Sequence, residues 1–98
     1  MEKCEIHLPL NYSDRKPIEQ KKIKRVREEL LDTFASFAEP YRRTWRYDGR
    51  ACTEILRFEV ITTGDSVTKN RLKELKARLK EFLPQVDILI TTQSVELI

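Results

Sequence analysis

The spacing of apolar side chains changes several times along the chain, and each change marks a predicted element. Cys4, Ile6 and Leu8 alternate with polar residues, which is typical of a half-buried strand ending at Pro9. A helical stripe follows from about Pro17 to Phe37, with Pro40 beyond its end. The apolar positions of this stripe lie three and four residues apart: Ile23, Val26, Leu30, Phe34 and Phe37.

The middle of the chain predicts a β-hairpin. Large rings alternate with arginine and threonine from Tyr41 to Tyr47, and Asp48-Gly49 suits a two-residue turn because both residues tolerate positive φ. With that loop, three pairs face each other across the strands: Trp45 with Cys52, Arg43 with Glu54, and Tyr41 with Leu56.

This pairing decides which face of the hairpin is buried. Leu56, Phe58 and Val60 form the buried row of the third strand, so the rings of Tyr41, Trp45 and Tyr47 are predicted on the side of the helices. A three-residue loop would reverse the second strand, since a slip of one residue exchanges its faces.

The last third of the chain predicts a second helix, a fourth strand and an apolar tail. Asp65 or Ser66 is a suitable N-cap, and Leu83-Pro84 ends the helix. The helix buries Leu72, Leu75, Leu79 and Phe82. Val86–Ile90 is the predicted strand, and the tail Ser94–Ile98 is expected to pack along a sheet edge or a subunit boundary.

Together these elements follow the order β-α-β-β-α-β, which specifies the ferredoxin-like α+β sandwich. We expect residues 1–98 to form a single domain with a four-stranded antiparallel sheet and both helices on one face. The other face of the sheet is uncovered within one chain. Its predicted residues are Glu5, His7, Arg42, Arg46, Arg57, Glu59, Asp87 and Leu89, with Ile55 and Ile61 toward the ends.

Composition agrees with a soluble globular domain, since 40% of the 98 residues are apolar and 36% are charged. No apolar stretch reaches the length of a membrane span, and the polar sequence after Glu2 lacks a signal-peptide core, so we expect a cytoplasmic protein. Cys4 and Cys52 form no CxxC pair, and neither sits near His7 in a ligand-like spacing. We therefore expect reduced thiols and no structural metal.

The net charge of +3 is distributed unevenly along the chain. Basic residues cluster in the segments Arg15–Arg27 and Lys69–Lys80, and such clusters either attract polyanions or form the solvated faces of amphipathic helices. The polyanion hypothesis assigns contacts to Lys21, Lys22, Lys24 and Arg25 of the first helix and to the hairpin arginines Arg42, Arg43 and Arg46.

Motifs for specific chemistry are scarce. His7 is predicted beside Arg57 and Glu59 on the uncovered face, where a carboxylate could orient a general base, but no motif supplies a nucleophile. The outward positions of the third strand, Arg57 and Glu59, offer no stacking platform of the kind that RNA-recognition motifs use. Gly49 and Gly64 are the only glycines, which excludes a P-loop and a dinucleotide fingerprint, and no cofactor is implied.

Three segments, HLPLN at 7–11, WRYDGR at 45–50 and ILITTQSVELI at 88–98, together resemble a set of short bacterial proteins of ferredoxin-like fold and uncharacterised activity. The resemblance implies a bacterial cytoplasmic origin and transfers no functional residue.

The first functional hypothesis is a non-enzymatic association module, a homodimer that uses the uncovered face, a strand edge or the tail. A nucleic-acid-binding module and an enzyme with a cleft centred on His7 are the alternatives.

Overall fold

The computed structural model describes the backbone of residues 1–34, 38–45, 53–63, 65–96 and 98, with all side chains there except those at 38, 39, 41, 43–45, 53 and 66. The elements are β1 (Glu2–Pro9), α1 (Gln20–Phe34), β2 (Ala38–Trp45), β3 (Thr53–Thr62), α2 (Ser66–Phe82) and β4 (Leu89–Ser94). The sheet has the order β2-β3-β1-β4, and every neighbouring pair is antiparallel. This is the ferredoxin-like element order. The predicted α+β class, with two helices and an antiparallel sheet, is confirmed.

The core lies between the sheet and the two helices. Even-numbered side chains of β1 and β3 enter it, because successive side chains of a strand point to opposite faces. Those strand residues are Cys4, Ile6, Leu8, Phe58 and Val60. The helices contribute Ile23, Val26, Leu30, Leu72, Leu75 and Leu79. Because both helices share this cluster, they cover the same side of the sheet.

Helix α1 begins later than predicted. Pro17 forms an isolated bridge with Asn11, and the Ile18 N–H donates to the Leu10 carbonyl at 2.9 Å. The connecting segment therefore folds back on the end of β1 before the helix starts at Gln20. Residues 35–37, in the last predicted turn, lie outside the described residues.

Helix α2 has the predicted ends. Asp65 is the N-cap, and its carboxylate accepts a 2.8 Å hydrogen bond from the Thr68 N–H. At the other end, Lys80 Nζ donates to the carbonyls of Pro84 at 3.2 Å and Val86 at 2.7 Å. Neither described helix is both long and apolar enough to cross a membrane.

Strand β4 is displaced from its predicted position at Val86–Ile90 and runs from Leu89 to Ser94. Val86 and Ile88 are both buried, but they precede the ladder, so their apolar spacing reports burial and not strand pairing. The chain continues beside β1 after the strand, because the Val95 N–H donates to the Met1 carbonyl at 2.9 Å.

The pairing of β2 with β3 corrects the predicted hairpin register by one residue. Tyr41 lies opposite Arg57, Arg43 opposite Ile55 and Trp45 opposite Thr53. A three-residue loop would produce this register. The predicted placement of Tyr41 and Trp45 on the helix side depended on the other register, so it does not follow from the observed pairing. Tyr47, Cys52 and the Asp48-Gly49 turn lie outside the described residues.

The same register corrects the position of Arg42. It pairs with Leu56, which packs against the core cluster, so Arg42 belongs to the helix side of β2 and not to the uncovered face. Its side chain is exposed there.

Candidate functional site

The side of the sheet away from the helices, called here the sheet face, is crossed by three rows of residues from β3, β1 and β4. Odd-numbered positions occupy it because even-numbered positions enter the core. The rows are Arg57–His7–Leu89, Glu59–Glu5–Thr91 and Ile61–Lys3–Gln93.

His7 lies at the centre of the sheet face and is only 5% exposed. Its Nε2 lies 3.2 Å from Thr91 Oγ1 and 3.4 Å from Glu5 Oε2. Both partners come from the next row, one from the adjacent strand and one from β1 itself. The central strand and its neighbour thus hold the imidazole in place.

The surroundings of His7 favour its neutral form. Burial lowers the pKa of the imidazole, the Arg57 guanidinium lowers it further, and the Glu5 carboxylate opposes both effects. At neutral pH the ring is uncharged and can serve as one donor and one acceptor.

Glu5 connects the basic groups of the sheet face. Its Oε1 lies 3.2 Å from Lys3 Nζ, and its Oε2 lies 3.6 Å from Arg57 Nε as well as near His7. The carboxylate side chain is 16% exposed, so these ion pairs are partly removed from solvent. The predicted site residues Glu5, His7 and Arg57 therefore form one cluster.

Apolar residues of the sheet face differ in their exposure to solvent. Leu89 and Ile61 are 46% and 49% exposed, while Ile55 is only 4% exposed and does not belong to the core cluster between sheet and helices. The sheet face thus has buried side chains at His7 and Ile55 and exposed apolar side chains in β3 and β4.

The other predicted residues of this face have varied positions. Glu59 lies opposite Glu5, so it occupies the row next to His7 and not the row of His7 itself. Asp87 is exposed but precedes β4. Arg46 lies outside the described residues.

The predicted polyanion contacts on α1 are only partly available. Lys21 and Lys24 are exposed. Lys22 is half-buried and donates to Tyr12 Oη at 3.0 Å. The Arg25 guanidinium lies 4.3 Å from the centroid of the Phe82 ring.

The hairpin residue Arg43 pairs with Ile55 in the backbone register, and its side chain lies outside the described residues.

Sequence reasoning missed a cluster in the connection before α1. Tyr12 Oη donates to Glu19 Oε2 at 2.5 Å and accepts from Lys22. The Tyr12 hydrogen bond lowers the pKa of Glu19 and raises that of Lys22. Glu19 and Lys22 follow Tyr12 by seven and ten positions, and this spacing alone does not predict a contact. The three side chains meet because the chain folds back before α1.

Two clefts are lined by described residues. One, of about 420 Å³, borders the Tyr12–Lys22 cluster and Gln85. The other, of about 300 Å³, lies between the helices beside Arg71 and Arg78. His7 lines neither cleft, so neither supports the enzyme hypothesis. Among the described side chains, no group of three His, Cys, Asp or Glu residues is arranged to hold a metal ion.

Comparisons with known proteins extend the description of the fold. No protein-family profile matches the chain, and no curated protein matches it. The chain is similar to a phage SAM lyase solved in complex with S-methyl-5'-thioadenosine, at 14% identity and a TM-score of 0.59, over 94% of this chain and 79% of that one.

Two designed proteins are also similar to the chain. The de novo designed protein Foldit4 has 16% identity and a TM-score of 0.55, over 97% of this chain and 98% of that one. A de novo design with a ferredoxin fold has 22% identity and a TM-score of 0.44, over 97% and 88%. At these identities the likeness concerns the fold alone.

Proposed function

We propose that the protein acts by self-association and that the sheet face forms the contact between two copies. The observation that carries the proposal is the exposure of Leu89 and Ile61 on a face that also bears an ordered set of opposite charges. Exposed large apolar side chains set among ordered polar groups are typical of protein contact surfaces.

The charges of β1 and β3 favour a second copy as the partner. Lys3 and Arg57 are balanced by Glu5 and Glu59 on the sheet face, whereas the whole chain is basic. In a two-fold contact every residue pair occurs twice, so a face with both signs can match itself. A polyanion would meet Glu5 and Glu59 on this surface.

Burial within one chain also supports this assignment. His7 and Ile55 are already removed from water, and Glu5 is already paired. Association therefore has to desolvate chiefly the exposed side chains of β4 and Ile61. Leu89 is the largest exposed apolar side chain in β4, and we assign it to the contact.

Sedimentation velocity over a wide range of protein concentration tests the proposal. The unchanged protein is expected to shift from monomer to dimer as its concentration rises, and Leu89→Glu is expected to remain a monomer because it places a charge in the contact.

Leu31→Glu is the matched control. Leu31 is 48% exposed on α1, on the other side of the molecule, so this variant is expected to dimerise like the unchanged protein. Circular dichroism confirms that both variants are folded. A protein that stays monomeric at every concentration, or equal loss of the dimer in both variants, contradicts the proposal.

A further inference from the structure

Helix α2 carries a row of lysines, and we propose that this row binds the phosphate backbone of nucleic acid. Lys69, Lys73 and Lys76 lie at i, i+4 and i+7 of the helix, so they share one side of it, and all are exposed. This lysine row is distinct from the sheet face and from the α1 residues that the sequence suggested.

The spacing within the lysine row suits a linear polyanion. With a rise of about 1.5 Å per residue, the attachment points follow one another at about 5 Å along the helix axis. Nucleic acid presents one phosphate per strand at about 3.4 Å of helix axis, and flexible lysine side chains can accommodate this difference. Lysine also suits phosphate as a compact point charge.

The acidic residues of α2 do not interrupt the row. At about 100° per residue, Glu74 and Glu81 are roughly a third of a turn away from it. Asp65 lies at the N-terminal end, where its carboxylate is engaged with the Thr68 N–H. The row therefore presents a single sign of charge over two helical turns.

Two other cations of α2 have structural partners. Arg78 Nε donates to Glu29 Oε2 and its Nη2 donates to Thr33 Oγ1, both at 2.8 Å, which places Arg78 on the side facing α1. Lys80, one further turn along the row, donates to carbonyls after the helix. The lysine row is thus made of side chains on the other flank of the helix.

Helix α1 is less suited to a polyanion. Its exposed lysines Lys21 and Lys24 share the solvent side with Glu28 and Asp32, which are also exposed. A phosphate backbone along α1 would approach these carboxylates. The same feature makes α1 a suitable internal control.

An anionic membrane surface is less favoured. Helices that lie on membranes combine basic residues with large apolar side chains that enter the lipid. Val67 is the exposed large apolar residue of α2, and it lies in the first turn on the flank opposite the lysine row. The row therefore provides charge without an apolar ridge.

Fluorescence anisotropy with a short labelled single-stranded DNA, and with the matching duplex, tests the proposal at low salt. Binding is expected to be independent of sequence and to weaken as salt rises. The variant K69Q/K73Q/K76Q is expected to raise Kd by about tenfold or more and to lower the slope of log K against log salt by about two for the single strand.

The matched control is K16Q/K21Q/K24Q, which removes the same amount of charge from exposed lysines elsewhere. We expect its Kd to change by less than about threefold, since these lysines contribute long-range electrostatic attraction and no direct contact with the phosphates. Circular dichroism of both variants confirms that they fold. Equal weakening by the two variants, or no DNA binding by the unchanged protein, overturns the proposal. Binding to phosphatidylserine vesicles without binding to DNA also overturns it.

Discussion

His7 Nε2 and Glu5 Oε2 lie 3.4 Å apart on the sheet face. The two residues are two positions apart on β1, one of the two central strands of the sheet. The two-residue period of a strand brings their side chains to the same face, and the neighbouring strands supply Arg57 and Thr91 on either side. A buried imidazole is thus placed between a carboxylate and a guanidinium, and its protonation responds to both.

The pH dependence of stability follows from this arrangement. The folded-state pKa of His7 is lowered, so between that value and about 6.5 the unfolded chain binds more protons. The stability that His7 contributes is present above about pH 6.5 and is lost as the pH falls through the folded-state pKa. Urea unfolding as a function of pH is expected to show this decline, and His7→Gln is expected to flatten it.

The same prediction has a direct spectroscopic test. His7 is the single histidine of the chain, so its imidazole NMR signals need no assignment by mutation. They are expected to titrate with a midpoint below about 6.5. A midpoint above that value contradicts the described burial of the ring.

The cap of α2 gives a second prediction. Asp65→Ala is expected to lower Tm, because the Thr68 N–H loses its acceptor, while Asp65→Asn is expected to lower it less because the amide oxygen still accepts. The Thr68 hydrogen bond lowers the pKa of Asp65, so the stability from this carboxylate is present at neutral pH and lost as the pH falls through the lowered pKa.

Thermal melts of the unchanged protein and both variants measure this effect. Asp87→Ala is the control, since Asp87 is an exposed aspartate that precedes β4 and lies outside both helices. Equal Tm values for Asp65→Ala and Asp87→Ala contradict the assigned cap.

A third prediction concerns the core beneath α2. Leu75 is fully buried, and Leu75→Ala is expected to lower the free energy of unfolding by about 2 to 5 kcal/mol, through lost transfer energy and the cavity that remains. Leu31→Ala removes the same atoms from a half-exposed site and is expected to change it by less than about 0.5 kcal/mol. Urea unfolding of the two variants gives the comparison, and similar losses contradict the assigned packing.

Much of the fold was accessible from the sequence because burial leaves a periodic pattern. The alternation of Ile6 and Leu8 with His7 assigned each to the correct face of β1, since a strand permits only two directions. The stripe through Leu72 and Leu75 located the buried side of α2 for the same reason.

Strand pairing was less accessible, because register depends on the turn and on contacts across the sheet. The local preference of Asp48-Gly49 for a two-residue loop favoured one pairing, and the observed pairing of Arg42 with Leu56 differs by one residue. Similarly, Val86 and Ile88 have the apolar spacing of a strand and are buried, but the ladder begins at Leu89. Periodicity reports which side chains are buried and not which backbones are paired.

The candidate site shows the same limit. The predicted sheet placed His7 beside Arg57, and the register has these two residues opposite each other. The carboxylate that lies 3.4 Å from the His7 ring belongs to Glu5 and not to Glu59. The contact of Thr91 with His7 was not anticipated, because the alternation along a strand gives the face of each residue and not which side chains touch across strands. Contacts between long side chains depend on rotamers that the sequence pattern does not contain.

The contact between the two helices gives the last prediction. Arg78 of α2 donates 2.8 Å hydrogen bonds to Glu29 and Thr33 of α1, and its side chain is 38% exposed. Arg78→Met is expected to lower the free energy of unfolding by about 1 kcal/mol, because hydrogen bonds to charged groups are stronger than average while exposure to solvent weakens them. Arg71→Met, at an exposed position of the same helix, is expected to change it by less than about 0.5 kcal/mol. A double-mutant cycle with Glu29→Ala, which removes the acceptor, isolates the pair, and a coupling energy of zero contradicts a stabilising role for this contact.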